Sequence, residues 1–285
     1  MLEGQEGISW AQWLALARAA EAAGLDGLFR SDHYRSIVRG EPAGSLDAWA
    51  VLAALAARTE RIRLGTLVSP ATFRPPAVLA KNVVTVDQIS GGRVELGIGA
   101  GWYEAEHDTY RIPFGTTSGR LDELDRQLAE IHREWLDAND VQPKPVQQPR
   151  PPIIIGGRAR PRTVRVAVRY ADEYNTTFPT VEEARSRRAA VDRAAEEAGR
   201  ERLRFSIMVS CVVGRDRGEL AERLDAWRFV NGADEEPMLA GTVDEVADAL
   251  RAYETVGVER AMLQHTVHED VEMVAVLGEL AAALS

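Results

Sequence analysis

Asp32 and His33 stand side by side two residues beyond residues 25–29, a short apolar stretch that is typical of a buried strand. An imidazole changes charge near neutral pH. At a strand end beside a carboxylate, it therefore suits a proton donor or a hydrogen bond to a reactive ring. A lone histidine is more often a structural residue, so the sequence leaves both roles open.

A glycine pair marks a second candidate position. Gly156 and Gly157 end an apolar stretch and are followed by Arg158 and a predicted helix. Backbone amides and the amino terminus of a helix can together hold a phosphate group, and an arginine side chain adds positive charge. A solvated loop rich in arginine is the alternative interpretation.

A third glycine-rich run covers residues 97–102 and contains Gly99, Ala100 and Gly101. Glycines at a strand end let a flat ligand approach the backbone, although a tight turn alone would also explain them. The run begins like a dinucleotide-binding fingerprint, but Trp102 occupies the place of the third glycine and no helix clearly begins there. The sequence therefore disfavours a Rossmann-type site.

The remaining candidates at predicted strand ends are expected to line a substrate pocket; they are Trp102, Tyr103, Glu104, Thr176 and His265. Neither aromatic side chain has acid–base chemistry near neutral pH, so both suit pocket walls. The pairs formed by Glu104 with His107 and by His265 with His268 each offer two ligands, too few for a metal site. We expect no metal.

A regular alternation of predicted strands and helices positions these residues. Strands are predicted at residues 25–29, 62–68, 94–98, 153–155, 173–177, 205–213 and 261–264. Helices are predicted at residues 9–24, 45–57, 75–89, 118–138, 162–170, 181–198, 219–229, 243–256 and at the end of the chain. Such repeats favour an α/β fold with an eight-stranded (β/α)8 TIM barrel as one domain over residues 1–285, and an open, doubly wound sheet is the competitor. Only residues 1–5 precede the first helix, so the first strand is expected to be truncated. A native start upstream of Met1 would explain this, and the sequence alone does not decide it.

Composition excludes several classes of protein. The net charge of −10 disfavours a nucleic-acid binder, because such proteins need a basic surface. Cys211 is the single cysteine, so the chain contains neither a disulfide nor a cysteine-based zinc site. No apolar stretch approaches the length of a membrane span, and no signal pattern opens the chain. We expect a cytoplasmic protein that does not interact with membranes.

Three motifs together resemble the luciferase-like monooxygenase superfamily. They are SDH at residues 31–33, TFRPPAVLAK at residues 72–81 and SGGRVELGIGAGW at residues 90–102. ADEYN at residues 171–175 and GTVDEV at residues 241–246 resemble its later motifs, so the similarity runs along essentially the whole chain. The overall pattern is most similar to the branch of the superfamily that uses the deazaflavin coenzyme F420.

The resemblance implies a barrel that binds F420 or flavin mononucleotide (FMN) at its carboxyl-terminal mouth, usually in a homodimer. It places Asp32 and His33 beside the redox-active ring, with His33 moving a proton. Leu67 and Val68 match a position where family members often carry a non-prolyl cis peptide that backs the ring. The same likeness implies that residues 99–101 line the ring or the cofactor's side chain, and that residues 156–158 hold the phosphate.

One departure from the family concerns Trp102. Deazaflavin-dependent sugar-phosphate dehydrogenases carry an acidic glutamate at this position, so that substrate and that proton relay are not expected here, and Glu104 is only a nearby substitute.

The leading hypothesis is an F420-dependent oxidoreductase that exchanges a hydride between deazaflavin C5 and a small organic substrate, with His33 handling the proton. An FMN-dependent monooxygenase is the alternative, and a non-catalytic cofactor-binding protein is a third possibility. Substrate identity is expected to depend on the strand-end loops at residues 34–44, 103–117 and 231–239.

Overall fold

The computed structural model describes residues 1–38, 43–138 and 140–284. Residues 39–42, which belong to the first of the predicted specificity loops, lie outside the described part of the chain. In that part, strands and helices alternate from the first helix onward.

The described strands are β1 (Gly27–Arg30), β2 (Arg63–Thr66), β3 (Ser69–Pro70), β4 (Val94–Gly99), β5 (Ile153–Gly156), β6 (Glu173–Thr177), β7 (Arg204–Gly214), β8 (Leu239–Thr242) and β9 (Arg260–Gln264). Every pairing between them is parallel, and the order of hydrogen-bonded neighbours is β1-β2-β4-β5-β6-β7-β8, with β3 on β4 and β9 on β7. Parallel strands joined by helices are the pattern that the βα repeats predict.

The described helices are α1 (Trp10–Ala22), α2 (Ala48–Ala56), α3 (Pro76–Ser90), α4 (Glu104–Tyr110), α5 (Thr117–His132), α6 (Pro161–Tyr170), α7 (Val181–Glu197), α8 (Arg217–Asn231), α9 (Val243–Glu254) and α10 (Glu272–Leu284). Local sequence explains several of their ends. Ser9 and Gln12 form a capping box before α1, and Gly91 ends α3 in a left-handed conformation that suits glycine.

Leu2 takes the place of the first strand. It forms parallel bridges with both Arg30, at the end of β1, and His265, which follows β9. The Leu2 amide donates to the Phe29 carbonyl, and the Ser31 amide donates to the Leu2 carbonyl. The expected short first strand is thus a single residue, Leu2, which bridges the ends of β1 and β9.

Side chains alternate between the two faces of each strand, which separates two cores. The inner cluster contains Phe29, Leu67, Ile154, Met208 and Met262. A larger cluster packs the helices against the outer face of the sheet. This alternation decides which of the predicted site residues can face the mouth.

A layer of charged residues fills the interior at the opposite, amino-terminal end; we call Arg63, Glu95, Glu173 and Arg260 the charge layer. Arg260 Nη1 donates to Glu95 Oε2 at 2.8 Å and to Glu173 Oε2 at 3.1 Å, and Arg63 donates to Glu95. Burial disfavours the ionised carboxylate of Glu95, but the two arginines outweigh this effect and lower its pKa. A cavity of about 690 Å³ opens at this end.

Two elements differ from the sequence predictions. The expectation that no helix begins after Gly101 is wrong, because α4 starts at Glu104. This helix is short and its burial is confined to two polar side chains, so it lacks the apolar stripe that marks a helix in a sequence. Strand β8 was also not predicted, and it pairs with residues 211–214 of the long strand β7.

None of the helices in the described part of the chain is both long enough and apolar enough to cross a membrane.

Candidate active site

His33 lies just beyond β1 and forms the centre of the candidate site. Its Nδ1 atom is 2.8 Å from Oε1 of Glu106, a residue of α4 that is fully buried. The second carboxylate oxygen of Glu106 accepts a hydrogen bond from the Tyr34 backbone amide at 3.1 Å. The carboxylate is therefore fixed at both ends, and it orients the imidazole with a proton on Nδ1.

This pairing determines the charge of His33. Burial disfavours the imidazolium, but the hydrogen bond and negative charge of Glu106 outweigh it, and the pKa of His33 is raised above its ordinary value. Smaller contributions in the same direction come from Glu3 and Asp32. Atom Nε2 of His33 makes no hydrogen bond to any residue in the described part of the chain, so it is available to a ligand.

Two aromatic side chains form a wall beside His33. The ring centroids of Trp102 and Tyr103 lie 5.8 and 6.1 Å from that of the imidazole, both in edge-on geometry, and the two rings stack on each other at 5.3 Å. The Tyr103 hydroxyl donates to the carbonyl of Ser36 at 3.2 Å, while Trp102 is 62% exposed. Both rings therefore lie beside His33, and their role as pocket walls stays a prediction.

Asp32 faces away from His33, as expected for neighbours in extended chain. Its Oδ2 atom accepts hydrogen bonds from Arg74 Nη1 and from the hydroxyl of Ser69, both at 2.6 Å. Arg74 also donates to Asp47 at 2.7 Å. These contacts tie the loop that carries His33 to β3 and to the segment after it. The catalytic role of Asp32 stays a prediction.

Leu67 and Val68 follow β2, and the peptide bond between them is cis. The Val68 side chain lies over glycines of the two neighbouring strands. A Cβ atom added to Gly99 would be 2.8 Å from Val68 Cγ2, and one added to Gly156 would be 3.3 Å from Val68 Cγ1. Glycine at these positions leaves a flat surface below the mouth.

The segment after β4 is held from the side by α5. Gly101 has a φ of +81°, and its carbonyl accepts a hydrogen bond from Arg120 Nε at 3.1 Å. Ala100 packs against the outer core. The predicted cofactor residues of this segment therefore form a rigid edge next to Trp102 and the start of α4.

Gly157 and Arg158 connect β5 to α6. The Gly157 amide donates to the Asn175 carbonyl at 2.9 Å, and Arg158 is exposed. No side chain caps the start of α6, whose first residue is Pro161. The amides of its first turn are open to an anion, so the structure retains the features that predict a phosphate site.

Two of the predicted pocket residues, Thr176 and His265, do not face the mouth. Thr176 lies on the outer face of β6 and accepts a hydrogen bond from Arg187 of α7 at 2.7 Å. His265 is buried, its ring lies 3.0 Å from the Asp270 carbonyl, and burial lowers its pKa to about 4. Glu104 is exposed at the start of α4.

Sequence reasoning missed Glu106, the residue that contacts His33. The two residues are 73 positions apart, and only the phase of α4 turns Glu106 inward while Glu104 points to solvent. His107 next to it binds the Thr72 hydroxyl at 2.7 Å and the Tyr103 carbonyl at 2.8 Å, so both ring nitrogens are used within the protein. Within the described ranges, no group of three or more histidine, cysteine, aspartate or glutamate residues could hold a metal ion.

Comparison with known proteins identifies the family of the chain. The sequence profile described as "Luciferase-like monooxygenase" matches residues 2–238. An uncharacterized protein of Mycobacterium tuberculosis is 31% identical over 188 residues, which are 57% of this chain and 66% of that protein. The FMNH2-dependent dimethylsulfone monooxygenase of Pseudomonas putida is 32% identical over 142 residues, 45% of this chain and 39% of that enzyme. The matched region therefore spans less than two thirds of these relatives.

Solved structures show the same fold at low identity. An F420-dependent secondary alcohol dehydrogenase in complex with an F420-acetone adduct superimposes with a TM-score of 0.82 at 17% identity, covering 100% of this chain and 99% of that one. The 3,6-diketocamphane monooxygenase of Pseudomonas putida in complex with FMN gives 0.78 at 17% identity, covering 98% and 95%. Both are oxidoreductases built on the luciferase-like TIM barrel. Since the family profile covers most of the sequence, the chain is a member of the luciferase-like monooxygenase family.

Proposed function

We propose that the protein is an F420-dependent oxidoreductase that interconverts a small alcohol and the corresponding carbonyl compound. The observation that carries the proposal is the His33–Glu106 pair, in which Nδ1 is fixed by a buried carboxylate and Nε2 is left for a ligand. An imidazole held in this way has a defined orientation and a raised pKa, which are the properties that a proton-transfer residue needs.

The residues around the mouth fit a deazaflavin. The surface formed by Val68, Gly99 and Gly156 has no room for further side-chain atoms and suits the face of a planar ring system. Leu67, Ala100 and Gly101 would border the ring. Arg158 and the open amides of α6 would hold the phosphate of the cofactor's side chain, and Gly157, whose amide already donates to the Asn175 carbonyl, would border it.

When bound, the deazaflavin supplies hydride transfer at ring carbon C5. In the oxidation of an alcohol, Nε2 of neutral His33 would accept the proton that the hydroxyl group loses. In the reverse direction the imidazolium donates that proton to the carbonyl oxygen, and the Glu106 carboxylate stabilises the charged form. Trp102 and Tyr103, whose rings lie beside the imidazole, would border the substrate at this nitrogen.

An FMN-dependent monooxygenase is the second candidate. It is favoured by the 32% identity to a protein named as an FMNH2-dependent dimethylsulfone monooxygenase. His33 would serve either reaction. A deazaflavin has carbon where a flavin has nitrogen at ring position 5, so the identity of the bound cofactor selects the class of reaction.

A parallel fluorescence titration of the purified protein with F420 and with FMN tests the proposal. We expect F420 to bind much more tightly than FMN. Preference for FMN would move the protein to the monooxygenase class, and absence of binding by both would refute a cofactor-dependent enzyme. Binding of F420 without turnover on a panel of alcohols and ketones would leave a non-catalytic cofactor-binding protein.

Turnover of His33→Ala then tests the role of the imidazole. We expect a loss of about 10²- to 10⁴-fold in kcat, the range typical of general acid–base catalysis. His132→Ala is the matched control, because His132 lies on α5 with its ring 3.3 Å from the Tyr170 carbonyl. An equal loss in both variants would contradict the assignment.

We further propose that residues 1–285 act as one barrel domain in a homodimer, the arrangement that the family resemblance implies, and that the protein is cytoplasmic, as its single cysteine and opening residues indicate. Light scattering coupled to size-exclusion chromatography measures the mass directly. A monomer across the micromolar range would refute the dimer.

A further inference from the structure

Glu3 lies on the inner face of the sheet, close to the mouth. The side chain of Leu2 packs in the outer core, so the next residue points inward. Gln264 also points inward, because Met262, two residues earlier on β9, belongs to the inner cluster. The two side chains meet where Leu2 bridges the edge strands.

The Glu3 carboxylate is held by neutral amides. Its Oε1 atom accepts a hydrogen bond from Gln264 Nε2 at 2.7 Å, and its Oε2 atom accepts one from Gln5 Nε2 at 2.8 Å. The Ser31 hydroxyl in turn donates to Gln5 Oε1. We call these four residues, Glu3, Gln5, Ser31 and Gln264, the Glu3 cluster.

This carboxylate is buried, and the nearby cations, the Met1 ammonium and Arg30, act on it at a distance rather than through a direct ion pair. Glu3 is 8% exposed, and it forms no ion pair with any lysine or arginine in the described part of the chain. An ionised carboxylate away from water is costly unless a cation or strong hydrogen-bond donors compensate it. Two amide donors leave further lone pairs on both oxygens, so the group can accept from a ligand.

The Glu3 cluster and His33 lie on the same side of the sheet, near the mouth. Ser31 lies two residues before His33 and therefore on the same side of the extended chain. The negative charge of Glu3 is one of the causes that raise the pKa of His33, so the two groups lie within electrostatic range of each other. Gln264 is only half-buried, which places that edge of the cluster towards the open mouth.

We propose that Glu3 binds a hydrogen-bond-donating group of the substrate, an ammonium or a hydroxyl, while the substrate's alcohol or carbonyl lies at His33 Nε2. The inference rests on the proposed function, and it names the substrate class as small alcohols and ketones that carry a second donor. A carboxylate or phosphate in that position meets a buried negative charge and is rejected.

Three small ligands with a common core test this assignment. 1-Amino-2-propanol, 1,2-propanediol and lactate share a CH3–CHOH unit and differ in bearing an aminomethyl, a hydroxymethyl or a carboxylate group. Saturation-transfer NMR measures their dissociation constants on the cofactor-free and the F420-loaded protein, without turnover. We expect the amino alcohol to bind most tightly, the diol next, and lactate at least about tenfold more weakly than the amino alcohol, because hydrogen bonds to a charged partner are the stronger ones.

Variants of Glu3 test whether its carboxylate causes the preference among the three ligands. Glu3→Gln removes the charge at constant shape and should reduce the preference for the amino alcohol over lactate about tenfold. The matched control is Glu182→Gln, which removes the charge of a side chain that is 82% exposed on α7. Glu3→Asp retracts the carboxylate while keeping its charge; it should weaken binding of the amino alcohol and still exclude lactate.

Equal binding of the three ligands, preference for lactate, or absence of binding by all of them would overturn the inference. So would a Glu3→Gln variant with the selectivity of the unmodified protein. Failure of F420 to bind would instead refute the proposed function, since the ligand ranking on the cofactor-free protein is independent of it.

Discussion

Replacement of Glu106 by glutamine should make the His33 imidazolium much less stable. The substitution keeps the shape of the side chain and a hydrogen-bonding group 2.8 Å from Nδ1, but it removes a fully buried negative charge. A hydrogen bond to a charged group contributes about 1.5–3 kcal/mol, against roughly 0.5–1.5 kcal/mol for a neutral pair. The variant should therefore lose about 1–2 kcal/mol of preference for the imidazolium, roughly a five- to thirtyfold change in the ratio of charged to neutral His33.

NMR titration of the histidine C2–H resonances measures this ratio directly. The chain has five histidines, and the spectrum of His33→Gln identifies the resonance of interest. Glu104→Gln is the matched control, because Glu104 lies on the same helix but is exposed. The reasoning is refuted if His33 titrates in Glu106→Gln as it does in the unmodified protein, or if the Glu104 variant shifts it equally.

The same pair predicts how stability depends on pH. A group whose pKa is raised on folding contributes stability below its unfolded pKa, about 6.5 for histidine, and loses it as the pH rises through the folded pKa. The advantage in unfolding free energy over Glu106→Gln should thus be larger at pH 6 than at pH 9. Urea denaturation at the two values measures the difference, and an advantage that grows with pH would contradict the assignment.

Three further variants test other parts of the site and the fold. Arg74→Met leaves Asp32 buried and unpaired and should reduce the free energy of unfolding by about 3–5 kcal/mol, whereas also changing Asp32 to asparagine should recover part of the loss in urea denaturation. Gly99→Ala places a methyl group 2.8 Å from Val68 Cγ2, so it should cost about 1–3 kcal/mol and weaken F420 binding in the fluorescence titration. Glu95→Gln should destabilise the protein at pH 7 and have little effect on its stability in strong acid. The reason is that a carboxyl whose pKa is lowered on folding stabilises the fold above its unfolded pKa of about 4.5, and this stabilisation is lost as the pH falls. Thermal unfolding of the variant and the unmodified protein at pH 7 and pH 3 measures the difference.

Hydrophobic periodicity predicts most of the fold because it reports local burial. The prediction for β6, residues 173–177, agrees with the structure at both ends, and the start predicted for α7 is also correct. Short polar elements escape such reasoning, as α4 shows, because tertiary packing and not an apolar stripe holds them in place.

The candidate site was predicted only in part, for a related reason. A strand end can be found in the sequence, and it identifies the position of His33, but the direction of a side chain depends on its phase along the strand. Thr176 and His265 both follow from the same strand-end reasoning, yet each lies on the outer face. The contact between His33 and Glu106 joins distant parts of the chain, so no local pattern contains it.

The charge layer has a consequence for how this barrel can change over evolution. Arg260 contacts both Glu95 and Glu173, and Arg63 contacts Glu95, so four strands are tied together at the end remote from His33. In barrels of this type, substrate preference depends on the loops at the opposite rim. Loops at the mouth can therefore be exchanged or lengthened while these ion pairs remain intact. The substrate specificity can then change without loss of the ion pairs that stabilise the fold.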